Sequence, residues 1–251
     1  MPYDYYVISG NTVRHELFTF IIFLVIIFSK IFMKKVNVFL YFYGFSLTFI
    51  AISQEAQRAE SPVCSLFFNA CKNGNVPLVE SLILAKTDVN QEDEAGLSAL
   101  LYSAASGNEG ITRLLIAEKA DINKVSKEGG TPLLWAAANG HRNIIELLIQ
   151  ARANINQPNK EGNSPLILAA TNSRHDTMIQ LIKVGAFVNA RNALGSTALS
   201  ICAKNGNREA VTILIKHGAN KLQVDHKGDM PISIARMFGH QEIVELLTDK
   251  P

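Results

Sequence analysis

The sequence predicts an all-α repeat solenoid built from helix–turn–helix units joined by β-hairpin-like finger loops. Two observations carry this. Glycine stands at 74, 107, 140, 206 and 239, with Ser173 in the single gap, and a second series runs Gly96, Gly129, Gly162, Gly195, Gly228; both step by 33. Between them the same positions carry Phe67, Leu100, Leu133, Leu166, Leu199 and Ile232, and small residues at Ala70, Ser103, Ala136, Ala169, Cys202 and Ala235. A fixed period of this length marks stacked units, none of which can bury a core alone.

The elements in chain order begin with an apolar N-terminus. Residues 1–32, with the run Leu17–Ser29, precede a second layout beginning at Met33: Lys34 and Lys35, the apolar run Val36–Ile52, small residues at Ala51 and Ser53, then a polar stretch. This order fits a secretory signal peptide over 33–53, cleaved after Ser53. Start of translation at Met33 would make 1–32 a start-site artefact. The alternative is an uncleaved Val36–Ile52 anchor, with the lysines holding its N-terminal side in the cytoplasm. A short linker, 54–59, leads to the repeat domain.

Six units follow, over 60–92, 93–125, 126–158, 159–191, 192–224 and 225–251. The third shows the logic of all. Thr131 is placed to accept a hydrogen bond from the first helical turn, and Pro132 occupies the position where a missing N–H costs nothing. Ala136 and Ala137 allow helices of neighbouring units to approach closely. Gly140 ends the first helix in a left-handed conformation. Ile144, Ile145, Leu147 and Leu148 then form the apolar face of a second helix. Residues 153–156 lead on to a turn containing Asn159 and Gly162. In unit one, Pro77 falls in the first turn of the second helix, where proline is tolerated. Ser173 in the glycine series should cost about 1 kcal/mol, which marks the fourth unit as a soft point. Arg236, in place of a second small residue, suits a terminal unit with a polar outer face.

The segments TPLLWAAANGH (131–141), SPLILAATNSR (164–174), STALSICAKNGN (196–207) and MPISIARMFGH (230–240) resemble the ankyrin repeat. The resemblance spans six units and departs from the family pattern where a histidine is usual after TPL: Phe68, Leu101, Leu134, Ile167, Ser200 and Ser233 stand there. It implies a non-catalytic protein-binding module whose concave face is formed by finger tips and the exposed side of the first helices. The positions so implied for protein binding are Lys127, Glu128, Lys160, Glu161, Thr171, Asn172, Lys204, Asn205, Met237 and Phe238. Met237 and Phe238 either anchor a partner or cover the end of the core. Trp135 shares its slot with Tyr102, Leu168, Ile201 and Ile234, an apolar series that reads as packing.

Charge and chemistry narrow the function further. Residues 1–53 hold four basic side chains (Arg14, Lys30, Lys34, Lys35) and two acidic ones (Asp4, Glu16), leaving 20 of each sign for 54–251. A balanced domain lacks the basic excess of a nucleic-acid binder. No phosphate-cradling glycine loop, HExxH or Ser-x-x-Lys motif occurs in the repeat domain, so no cofactor and no enzymatic activity are expected. Its histidines fall in different units or in the structural Gly-His slot (His141, His240). Cys71 and Cys202 fill small core slots too far apart to bridge, and a helical spacing separates Cys64 from Cys71 beyond disulfide reach. The expectation is a monomeric module exported across a bacterial inner membrane to the periplasm or beyond, with membrane contact only through the N-terminal segment; a tethered module or a secreted host-directed effector are the alternatives.

Overall fold

The computed structural model describes residues 62–248; the segments 1–53 and 54–59, and with them the signal and anchor readings, lie outside the described residues. Twelve helices alternate along the described chain: α1 (Pro62–Asn73), α2 (Val76–Leu84), α3 (Ala99–Ser106), α4 (Glu109–Ala117), α5 (Pro132–Asn139), α6 (Arg142–Gln150), α7 (Pro165–Thr171), α8 (His175–Lys183), α9 (Ala198–Lys204), α10 (Arg208–Lys216), α11 (Pro231–Met237) and α12 (Gln241–Thr248). Odd-numbered helices pack on odd, even on even, and each pair packs within its unit. This is the stack of helix–turn–helix units expected from the period. No described helix is long and apolar enough to cross a membrane.

The first helices start where expected. Ser98, Thr131, Ser164 and Thr197 accept hydrogen bonds from the amides of Leu101, Leu134, Ile167 and Ser200, at 3.2–3.3 Å. Such caps contribute about 1 kcal/mol each. Ser200 closes a reciprocal box by accepting from the Thr197 amide at 2.9 Å. The positions lacking the usual histidine are otherwise filled by core: Phe68, Leu101, Leu134 and Ile167 are all buried.

Both glycine series adopt positive φ, and Ser173 does so too, at 55°. A third series, not anticipated, follows the second helices: Lys86, Lys119 and Arg152 at φ 63–67°, then Gly185 and Gly218 at 100° and 83°. The left-handed residue reverses the chain after each of the first five second helices.

The core is one continuous column. Phe67, Leu100, Leu133, Leu166 and Leu199 are at most 1% exposed, and the small residues Ser103, Ala136, Ala169, Cys202 and Ala235 are fully buried. Ala136 and Ala137 have no exposure, as helices in close approach require. Burial pushes the Cys71 and Cys202 thiols up to about 12. None of the three cysteines forms a disulfide.

Polar groups tie each unit to its neighbour at three levels. Near the turn between helices, Asn108 donates to the carbonyls of Cys71 and Lys72, Arg174 to that of Ala138, and the Nε2 atoms of His141 and His240 lie 3.1 and 3.0 Å from the carbonyls of Ala105 and Lys204. After the second helices, Asn90, Asn123, Asn156 and Asn189 each bridge forward. Each Nδ2 donates to the carbonyl of a left-handed residue (119, 152, 185, 218), and each Oδ1 accepts from the amide two residues beyond. In the fingers, one backbone bond joins each tip to the one before: Lys127 to Ala95, Lys160 to Glu128, Ala193 to Glu161, His226 to Leu194. Asp93, Asn159, Asn192 and Asp225 close these turns by accepting from the amides two and four residues ahead. The fingers are turns rather than paired strands; an isolated bridge joins Glu92 and Ser98.

Candidate protein-binding surface

The exposed edges of the first helices lie next to the finger bases. At the N-terminal end, Ser65, Phe68, Asn69 and Lys72 of α1 line one shallow cavity of about 130 Å³ together with Asp93 and Tyr102. Tyr102 donates its hydroxyl to Asp93 Oδ2 at 2.6 Å, and its ring lies 5.6 Å from that of Phe68. One unit on, a Cβ placed on Gly130 would lie 2.6 Å from Trp135 Nε1, so the indole rests against the base of the finger. This contact needs glycine because any side chain would push the ring away.

Trp135 is therefore not core. It is 41% exposed, while its slot-mates Tyr102, Leu168 and Ile201 are half-buried and Ile234 is buried. The apolar members of the series predict packing; the structure shows that the slot sits at the margin of the helix contact, where a larger ring extends into solvent.

The ten positions implied by the resemblance divide by what they touch. On the fingers, Lys127, Glu128, Lys160 and Glu161 are exposed. Lys127 reaches back to the Glu94 carbonyl, and Glu161 accepts from Asn163 Nδ2 at 2.9 Å. On the first helices, Thr171 donates to the Ile167 carbonyl within its own helix. Asn172 and Asn205 donate to the carbonyls of Ala138 and Thr171, at 2.9 and 3.3 Å, and Asn139 does the same to Ala105. These asparagines hold successive units together while remaining at the surface. Lys204 and Phe238 are brought together, the ammonium 5.6 Å from the ring centroid. Met237 and Phe238 stay 64% and 51% exposed, so they do not close the end of the core. Arg236 beside them is exposed.

A large apolar residue absent from that set is Leu194, 71% exposed on the fifth finger tip, where the equivalent positions hold Ala95, Glu128, Glu161 and Lys227. Its signal in the sequence is a large apolar side chain at a position otherwise held by alanine, glutamate or lysine. Among the described residues no group of histidine, cysteine and carboxylate side chains converges as a metal site would.

Stacked helix pairs with a continuous column of core, tied unit to unit and presenting one exposed edge of mixed character, define a repeat protein of the interaction-module class. A family profile described as ankyrin repeats (three copies) matches residues 67–159, 109–192 and 166–251, and the chain belongs to this family. No curated protein matches the chain.

Proposed function

We propose that this protein is a non-catalytic binding module that holds a protein partner on the concave face formed by its first helices and finger tips. The observation that carries the reading is the exposure of Trp135, Met237 and Phe238 along the first helices, at positions where smaller side chains would satisfy the fold. Large aromatic anchors ringed by polar groups are the usual source of binding energy at protein interfaces. Lys127, Glu128, Lys160, Glu161, Thr171 and Lys204 supply the polar surround. Asn172 and Asn205 contribute as holders of the surface.

The test compares the partners recovered with wild-type protein and with Trp135→Ala and Phe238→Ala from its natural cells. The partner is then identified and its affinity measured by calorimetry. Anchors of this kind should each cost about tenfold or more in Kd, since truncating an interface anchor removes roughly 1.4 kcal/mol or more. Wild-type affinity in both variants would place the interface elsewhere.

Export to the periplasm or beyond rests on the order of Lys34-Lys35, the apolar run 36–52 and Ser53 in the sequence. Intact mass and N-terminal sequencing of the protein from fractionated cells test it. A soluble species beginning near Gln54 supports export. A membrane-bound species retaining 36–52 would make this a tethered module instead.

A further inference from the structure

We propose that the seam between the fourth unit (159–191) and the fifth (192–224) is a built-in point of flexure, at which 192–248 opens as a block before the rest of the stack. Four departures from the repeat rules meet there. First, Ser173 takes the left-handed conformation that glycine takes at 74, 107, 140, 206 and 239. Second, the brace from the following unit lands on side chains. Asn207 donates to Ser173 Oγ at 3.0 Å and lies 2.7 Å from His175 Nε2, whereas the equivalent residues 108, 141, 174 and 240 all reach a backbone carbonyl. A brace held by two exposed or half-exposed side chains is only as rigid as their rotamers.

The third departure is in the ion pairs between successive second helices. Arg142 pairs with Asp176 at 3.3 Å and Arg208 with Glu242 at 3.5 Å, but the rung between them is His175 Nδ1 to Glu209 at 3.0 Å. Guanidinium is charged under all physiological conditions, while imidazole makes an ion pair only in its protonated form. Further along the same unit, Phe187 stands where Asp88, Asp121, Asn154 and Asn220 accept from the amide two residues ahead. The fourth unit thus lacks that turn bond as well. The face described above crosses the seam: Thr171 and Asn172 lie before it, Lys204, Asn205, Met237 and Phe238 after it, so flexure here changes the distance between the two halves of that face.

Hydrogen exchange of the full chain under native conditions, read by peptide mass spectrometry, tests the proposal. Peptides of 192–248 should exchange together, and about tenfold or more faster than those of 99–158. Ser173→Gly with His175→Arg rebuilds the seam in its neighbours' form, leaving Asn207 to reach carbonyls as Asn108 does. It should slow exchange across the whole of 192–248 by about fivefold, the gain expected when the Asn207 brace regains a backbone acceptor. His175→Arg alone should slow it by about twofold, as an exposed ion pair warrants. The transplant Gly140→Ser with Arg142→His and Arg174→Asn, which moves the fourth unit's brace from the Ala138 carbonyl to side chains, should move the boundary of the fast block back to residue 159. Exchange that simply quickens toward 248 and ignores both seam variants would be end fraying and would overturn the proposal. So would a transplant, folded by circular dichroism, that leaves 159–191 as protected as before.

Discussion

Replacing the residues that reverse the chain after the first five second helices should invert the ordinary ranking of alanine over glycine. Lys119 and Arg152 hold φ of 63° and 67°, and Gly185 and Gly218 occupy the same slot in the next two units. A Cβ on Gly185 or Gly218 would meet nothing within 4 Å, so substitution there probes backbone conformation without steric conflict. A side chain in this region costs about 1–2 kcal/mol, and glycine gives back about 0.5–1 kcal/mol through its greater freedom in the unfolded chain. The net expectation is that glycine exceeds alanine by about 0.5–1 kcal/mol at 119, 152, 185 and 218 alike. Comparing alanine with glycine at each site cancels the loss of the Lys119 or Arg152 charge near a helix C-terminus. Glu146, exposed within α6, serves as the internal control, where alanine should exceed glycine by about 1 kcal/mol. Urea midpoints at constant m-value read both differences. Alanine equal to or better than glycine at 152 and 185 would refute the assignment of strain to this slot.

Three further outcomes follow from the same geometry. Gly129→Ala should cost clearly more than Gly185→Ala, on the order of 2–4 kcal/mol, because its Cβ would come within 2.6 Å of the Lys160 backbone nitrogen in addition to the left-handed strain; similar urea midpoints for the two variants would contradict this. Asn123→Ala removes two ties to the next unit, at 3.4 and 2.7 Å, and should lower stability by about 1–2 kcal/mol; Asn123→Asp, which keeps the acceptor but loses the donor, should fall between, by the same denaturation assay. Cys71 and Cys202, raised to about 12 by burial, favour the folded state below their ordinary value of 9.0 and lose that contribution as pH rises from there toward 12. A double Cys71→Ala, Cys202→Ala variant should therefore show a flatter loss of stability over that range, and in the native wild type Cys64 should be the thiol that reacts first with a water-soluble disulfide reagent.

The fold was legible because the two glycine series and the small residues at 103, 136, 169, 202 and 235 are dictated by backbone conformation and helix spacing, which tolerate few substitutes. The third left-handed series was hidden because Lys86, Lys119 and Arg152 accept the same conformation at a modest cost, so no single residue type marks it. The bridging asparagines were in plain view at 90, 123, 156 and 189, yet one asparagine in a loop says nothing of its partner until the stacking distance is known. The surface was less legible than the core. Trp135 shares a slot with residues that are half-buried, and exposure depends on how far a side chain extends beyond a margin that the period does not locate. Asn172 and Asn205 present a surface position and an inter-unit bond at once, a dual role that only the neighbouring unit's carbonyl reveals.

The asparagine bridges also make the chain's length adjustable. Each Nδ2 and Oδ1 engages only backbone groups of the following unit, and those groups stand in the same place whichever unit supplies them. Excising 126–158 would leave Asn123 facing the carbonyl of Gly185 and the amide of Phe187, the pair that Asn156 now holds. As far as these asparagine bridges are concerned, whole units can thus be gained or lost in the gene without a compensating change, and what such an event alters is the reach of the exposed edge.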